Sequence, residues 1–268
     1  MNARFEWGAR TYVMGILNVT PDSFSGDGLA GDPGAAVRHA LQMEVDGADI
    51  IDVGGMSTRP DHVEVPPQEE LERVMGVLPE LVGRLGVPVS VDTYRYEVAD
   101  AALEAGAAAI NDVWGLQREP GLADLVAERG AMLFLMHNQD GTDYRDLVPD
   151  VVESLRDSVA RAEAAGVARD NLVVDPGIGF GKTAEQNLEV LHRLPEMRAL
   201  GLPVLLGTSR KSTIGRVLGA EVDDRLEGTA ATIALGIGAG ADMVRVHDVR
   251  AMARVAAMSD AIVRRVPA

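Results

Sequence analysis

The chain of 268 residues contains no cysteine. Disulfide frameworks, thiolate zinc sites and iron–sulfur clusters are excluded with it, and a reducing, cytoplasmic setting is expected. Positive charge is also short: 25 Lys and Arg stand against 41 Asp and Glu, a formal net charge of −16. A binder of duplex nucleic acid or of an anionic membrane surface needs a broad basic face that this composition does not supply. A small anionic ligand needs only a few local cations, so that class is retained. Long apolar runs are missing. The longest, about Ala131–Met136, falls far below the roughly 18 residues of a membrane span. The opening MNARFEWGAR has no apolar h-region, so no secretory leader is expected. Lysine is nearly absent, with Lys182 and Lys211 alone among the 25 cations. A compact ammonium differs from a planar fork, so these two positions are candidates for work that arginine does poorly. The five histidines, at 39, 62, 137, 192 and 247, show neither HxH nor HExxH spacing.

Short apolar runs alternate with amphipathic stretches along the whole chain. Eight runs read as strands: Thr11–Leu17, Asp49–Val53, Pro88–Val91, Ala108–Asn111, Ala131–Met136, Asn171–Asp175, Pro203–Leu206 and Asp242–Val246. They are rich in Val, Ile, Leu and Met without clean polar alternation, as suits parallel strands covered on both faces. Helical patterns lie between them, at Ala35–Asp46, Pro67–Arg84, Arg95–Ala105, Leu122–Arg129, Leu147–Ala165, Ala184–Leu194, Arg225–Gly238 and Val249–Arg264. Gly47, Gly86, Gly106, Gly130, Gly166, Gly201 and Gly240 follow helices and suit left-handed caps. Strand ends recur about every 33 residues, the size of one βα unit. The pattern predicts a (β/α)₈ barrel of the triosephosphate isomerase (TIM) type, one α/β domain over residues 1–268. The rival, an open doubly wound sheet, usually carries a GxGxxG first turn that is missing after Leu17. Phe5–Val13, with Gly8 at its centre, is expected to form a β-hairpin plugging the barrel bottom. The breaker-rich connections Thr20–Gly34 and Gly54–Pro67 are expected to be lids over one mouth.

Chemistry in such a barrel sits at the C-terminal ends of the strands. Polar residues occupy or adjoin all eight: Asn18, Asp52, Asp92, Asn111, His137, Asp175, Ser209 and His247. Asp92, Asn111 and Asp175 offer two acceptor-only carboxylates and an amide, which suit a flat heterocycle bearing amino and lactam N–H groups. Arg59, Lys211, Arg245 and His247, with Arg210 and Lys182 nearby, could converge on an anion. GIGFGKT at 177–183 imitates a phosphate loop, but GxxxxGK[ST] would need glycine where Pro176 stands.

Eight segments together resemble the dihydropteroate synthase family: MGILNVTPDSFS (14–25), GGMSTRP (54–60), SVDT (90–93), INDV (110–113), LMH (135–137), DPGIGFGKT (175–183), SRKSTIG (209–215) and RVHDV (245–249). The resemblance spans nearly the whole chain, with one motif per strand end. It implies a TIM barrel that is usually a homodimer, uses Mg²⁺, and joins 6-hydroxymethyl-7,8-dihydropterin diphosphate to 4-aminobenzoate. Sulfonamides mimic the aminobenzoate in this family. By the same resemblance, Asp92, Asn111, Val113, Met136, Asp175, Phe180, Gly207, Lys211 and Arg245 are expected around the pterin. Asn18, Arg59, Arg245 and His247 are expected at the diphosphate, with Asn18 on the metal side. Thr58, Arg59, Pro60, Phe180, Lys211 and Ser212 are expected at the aminobenzoate. Asp92, Lys211, Arg245 and His247 are the expected catalytic group, with Asp92 stabilising positive charge on the methylene as diphosphate leaves.

The sequence departs from the family run at Met56, at Asp61-His62 after STRP, and in NQDGTDYRD after His137. Two other readings compete: a pterin-binding methyltetrahydrofolate methyl transferase, which has no reason to keep SRKS, and a degenerate synthase paralogue that only binds pterin or a partner. Asn18, Arg59, Lys211, Arg245 and His247 are all present, against the second.

Overall fold

A computed structural model describes residues 5–20, 32–56 and 65–265. Eight parallel strands run β1 (Tyr12–Asn18), β2 (Ile50–Gly54), β3 (Val89–Asp92), β4 (Ala109–Asp112), β5 (Met132–Met136), β6 (Leu172–Asp175), β7 (Leu205–Leu206) and β8 (Met243–Val246). Their order in the sheet is β6-β5-β4-β3-β2-β1-β8-β7. A single parallel bridge, Val174 to Val204, joins the two ends, with the Val174 N–H on the Pro203 carbonyl at 3.0 Å. The ring is therefore a TIM barrel, thinnest between β6 and β7.

Among the described residues ten α-helices surround it: α1 (Pro33–Val45), α2 (Pro67–Met75), α3 (Leu78–Arg84), α4 (Tyr96–Glu104), α5 (Leu122–Arg129), α6 (Leu147–Ala164), α7 (Ala184–His192), α8 (Ser212–Leu218), α9 (Leu226–Ala239) and α10 (Val249–Val263). The helix expected at Pro67–Arg84 is two. Pro79 has no N–H to continue the first ladder, and the chain breaks at Gly76 and Val77 before restarting. A short helix, α8, follows the SRK run directly, ahead of the one expected at Arg225–Gly238. Local caps explain other starts. Asp32 accepts the Ala35 N–H ahead of Pro33, and Thr183 and Gln186 form a reciprocal capping box at α7. Six of the seven expected stop glycines have positive φ; Gly86 does not, and its N–H instead goes to Glu44 Oε1 at 2.8 Å.

The strands divide their side chains by parity, since successive residues face opposite sides of a sheet. Val13, Leu17, Ile51, Val53, Val89, Val91, Ile110, Leu133, Leu135, Leu172, Val174, Leu206, Val244 and Val246 pack outward against the helices. Tyr12, Met14, Ile50, Ala109, Met132, Phe134, Val173, Leu205 and Met243 fill the barrel interior. Continuing the inward parity toward the strand ends gives Asn18, Asp52, Asp92, Asn111, Met136, Asp175, Gly207, Arg245 and His247. The apolar interior thus ends in a polar layer at one mouth.

The opposite end is closed differently from the expected hairpin. No strand precedes β1 among the described residues; Trp7–Ala9 make a turn, with the Ala9 N–H on the Glu6 carbonyl at 3.1 Å. The Tyr12 hydroxyl takes the place of a ladder, accepting the Glu6 N–H at 2.8 Å and donating to the Glu6 carbonyl at 3.2 Å. Phe5 and Trp7 meet Tyr12 edge to face, with ring centroids 4.7 and 5.5 Å away, and both pack on the interior cluster. The segment plugs the barrel, by aromatic packing rather than strand pairing. Trp7→Ala is expected to lower unfolding free energy by about 2 kcal/mol, less than for a fully buried ring. Urea denaturation measures it, and ligand binding at the distant mouth should be unchanged.

Candidate active site

Arg245, on the inward face of β8, reaches across to β2 and β3. Its Nε donates to Asp52 Oδ2 at 2.6 Å and its terminal nitrogen to Asp92 Oδ2 at 2.8 Å. Asp52 is fully buried and also accepts Ser90 Oγ at 2.5 Å and Asn111 Nδ2 at 3.0 Å. One carboxylate therefore sets the orientation of an arginine and an amide that the sequence marks as ligand-facing. Asp52 was recognised as a strand-end residue but given no role. Its parity with Ile50 in the run IIDVG was the available signal.

Asp92 is different. Its Oδ2 is taken by Arg245, but its buried Oδ1 has no hydrogen-bond partner among the described residues. A buried acceptor without a donor is costly unless a ligand supplies one. Burial raises the Asp92 carboxyl to about 7, helped by the neighbouring charge of Asp52 and opposed by Arg245. Burial likewise raises Asp175, against Lys211 and the Gly177 N–H, which lies 2.7 Å from Asp175 Oδ1.

Gly207 marks the place where these groups meet. A Cβ there would lie 3.7 Å from Asp175 Oδ2, 3.9 Å from Lys211 Nζ and 3.9 Å from Arg245 Cβ. The missing side chain leaves room between an acceptor and two cations. On the other side of Arg245, a Cβ on Gly54 would lie 3.5 Å from Asn18 Oδ1 and 3.9 Å from Asp92 Cβ. Val113 and Met136, both buried, follow or end β4 and β5 at the same level. Lys211 caps α8 and donates to the Ile178 carbonyl, with its ammonium 4.5 Å from the Phe180 ring centroid. Burial lowers Lys211 to about 8, opposed by Asp175.

His247 follows β8 and pairs with Ser209, with Oγ to Nδ1 at 2.9 Å, while the His247 N–H donates to the same oxygen at 3.1 Å. Ser212 opens α8 and is exposed. Arg210 leaves the expected basic set. Its Nε and a terminal nitrogen form a fork on Asp248 at 2.9 and 2.6 Å, and its backbone has φ +54°. Thr58, Arg59 and Pro60, with Asp61 and His62, lie outside the described residues, as do most of the two expected lids. Met56 is buried. Asp112, next to Asn111 but of outward parity, is spent on backbone, accepting the Trp114 and Leu116 N–H groups at 2.8 and 2.6 Å.

Among the described residues no three His, Cys, Asp or Glu gather as a metal cage. The Asn18 amide oxygen over Gly54 is a single hard donor. It fits Mg²⁺, which takes one or two protein ligands when phosphates and waters supply the rest.

Removing Asp52 should expose this layer's dependence on it. Asp52→Ala leaves Arg245 with one carboxylate and strips a partner from Asn111 and Ser90. The expected loss is about 3 kcal/mol of unfolding free energy, as for a broken buried ion pair, read by urea denaturation.

Residues 14–247 match the family described as pterin binding enzyme. A dihydropteroate synthase from Clostridium beijerinckii is 49% identical over 97% of this chain and 97% of its own length. The structure of the enzyme of that name from Clostridium difficile, in the presence of pteroic acid, superposes with a TM-score of 0.93 at 51% identity, covering 97% of this chain and 100% of that one. The Xanthomonas albilineans dihydropteroate synthase, solved with 4-aminobenzoic acid, gives 0.90 at 44% identity, covering 96% and 94%.

Proposed function

The chain belongs to the dihydropteroate synthases among the pterin-binding enzymes, transferases of folate biosynthesis that condense 6-hydroxymethyl-7,8-dihydropterin diphosphate with 4-aminobenzoate; from this we propose how its mouth divides the reaction. Asp92, Asn111 and Asp175 receive the pterin's amino and lactam edge, beside the Val113 and Met136 walls and over Gly207. The observation that carries this is the unpartnered Asp92 Oδ1, a buried acceptor in need of an N–H donor. Arg245, held in one plane by Asp52 and Asp92, presents a flat cation against the ring.

As the bond to diphosphate breaks, negative charge grows on the leaving oxygens and positive charge on the methylene carbon. We assign His247 and Arg245, with Arg59, to the first charge; the second is delocalised into the electron-rich pterin ring, where the Asp92 carboxylate stabilises it, acting where charge develops. Mg²⁺ held at Asn18 would supply Lewis-acid neutralisation of the diphosphate. Phe180, Lys211 and Ser212, with Thr58, Arg59 and Pro60, receive 4-aminobenzoate and align its amine with the carbon. The bond from the methylene carbon to the diphosphate oxygen breaks, that from carbon to the amine nitrogen forms, and the amine gives up one proton. No covalent enzyme intermediate is required.

Among the described residues no helix is long and apolar enough to cross a membrane; a cytoplasmic homodimer is our reading. The dimer is supported by exposed apolar side chains on consecutive outer helices: Val217 and Leu218 of α8, Leu235 of α9, and Met258 and Ile262 of α10. Leu235→Glu combined with Ile262→Glu should convert a dimer to monomer in light scattering.

Purified protein with both substrates and Mg²⁺ should form dihydropteroate and diphosphate in equal amounts, dependent on the amine. Diphosphate release without amine would count against the division above. Asp92→Asn should lower kcat by roughly 10²–10³-fold while the barrel stays folded. The sign of the pH effect follows from the raised carboxyl. Below about 7 Asp92 is protonated and opposes a donor to the ring's donors; above it, the carboxylate accepts. Dihydropterin affinity, by calorimetry, should therefore rise with pH through about 7, and Asp92→Asn should flatten that rise.

A further inference from the structure

Lys182 is a buried lysine that the reaction above does not use; burial lowers its ammonium to about 7, opposed by Asp175. It ends the connection between β6 and α7. Its Nζ donates to the Gly177 carbonyl at 3.1 Å and to the Phe180 carbonyl at 3.1 Å, and lies 2.9 Å from His137 Nδ1 beyond β5. An ammonium has three hydrogens, and here it meets three acceptors. Burial and the Lys182 charge pull His137 down to about 3, so the imidazole is neutral and its Nδ1 accepts.

The segment these contacts hold has no ladder of its own. Gly177, Gly179 and Gly181 have φ of +71°, +85° and +53°. A Cβ on Gly177 would fall 1.9 Å from the His137 carbonyl oxygen, so the segment and the end of β5 meet backbone to backbone. Side chains satisfy its polar groups: Asn187 Oδ1 accepts the Gly179 N–H at 2.7 Å, and the Tyr144 hydroxyl donates to the Gly181 carbonyl at 2.8 Å. Tyr144 comes from the NQDGTDYRD run that departs from the family pattern. The Ile178 carbonyl takes Lys211. Both lysines of the chain thus hold one connection, Lys182 from within it, tied to His137 after β5, and Lys211 from the segment after β7.

We propose that Lys182, acting with His137, is a positioning residue for the amine half of the site. It sets the Phe180 ring and the Ile178 carbonyl that orients the Lys211 ammonium, and so governs capture of 4-aminobenzoate without touching either substrate. Arginine cannot replace it. The N–H bonds of a guanidinium lie in one plane and spread over three nitrogens, whereas these acceptors surround one nitrogen. The inference rests on the assignment of Phe180 and Lys211 to 4-aminobenzoate.

The test uses the full chain with Lys182→Met, Lys182→Arg and Phe180→Ala, comparing KM for 4-aminobenzoate, kcat, the Kd of dihydropterin diphosphate and the melting temperature. Lys182→Met should raise KM for 4-aminobenzoate about tenfold, which corresponds to about 1.4 kcal/mol. The pterin Kd should move less than about twofold on the same scale, and Lys182→Arg should not restore the wild-type KM. Unchanged KM with a lowered melting temperature would reduce Lys182 to a stabilising residue and overturn the inference, as would an equal loss of pterin affinity. Phe180→Ala separates the two possible failures. If it too leaves KM for 4-aminobenzoate unchanged, the assignment of the half-site is wrong; if it raises KM while Lys182→Met does not, only the inference falls. Should Lys182→Met not fold, the pair His137→Gln and His137→Leu decides. The first keeps an acceptor for the ammonium and should hold KM near wild type. The second should raise it, and equal KM values for the two would overturn the inference.

Discussion

The mouth of this barrel depends on one arginine between two buried carboxylates. Asp52 and Asp92 sit on neighbouring strands, and two adjacent buried negative charges repel strongly in a low-dielectric interior. Arg245 relieves this from β8, reaching past β1 to both. Only a planar fork with separated N–H groups can bond two carboxylates at once and still offer a flat face. Ser90 and Asn111 complete the Asp52 hydrogen bonds, so of these two carboxylates it is Asp92 that keeps a buried oxygen without a donor among the described residues. The acceptor we assign to the pterin is thus what remains after the structural demands of the layer are met.

The two lysines serve a different geometry. Each places one nitrogen against the irregular connection after β6, where carbonyls converge instead of lying side by side. That connection imitates a phosphate loop in sequence. In space its lysine is folded back onto its own carbonyls and a histidine, and no ammonium is left to meet a phosphate. Fork-shaped tasks fall to arginine and point-shaped tasks to lysine, which gives a physical reason for both lysines in a chain that otherwise uses arginine.

Several expectations from the sequence survive because they rest on local chemistry. All eight strands lie within two residues of their expected bounds, since apolar runs bounded by turns leave little freedom. The errors are equally physical. The Pro67–Arg84 pattern kept its helical period through Pro79, and period alone does not register a missing N–H. Gly8 suggests an N-terminal hairpin, but the segment is held by edge-to-face packing of Phe5 and Trp7 on Tyr12 and not by strand pairing. Arg210 reads as a ligand cation by its place in the SRKS run, but its guanidinium is taken by Asp248, which only the fold brings beside it.

The sequence by itself determined the barrel, the family and the residues at the strand ends, because period, turn chemistry and motif order are written along the chain. Tertiary structure alone decided which groups meet. Asp52, Ser90, Asn111 and Arg245 come from four different strands, and their hydrogen bonds exist only once register and closure bring those strands into one layer. The same holds for Lys182 and His137, 45 positions apart and 2.9 Å from each other. Polar groups in an interior must find partners wherever the fold delivers them, and distance along the chain carries no record of that choice.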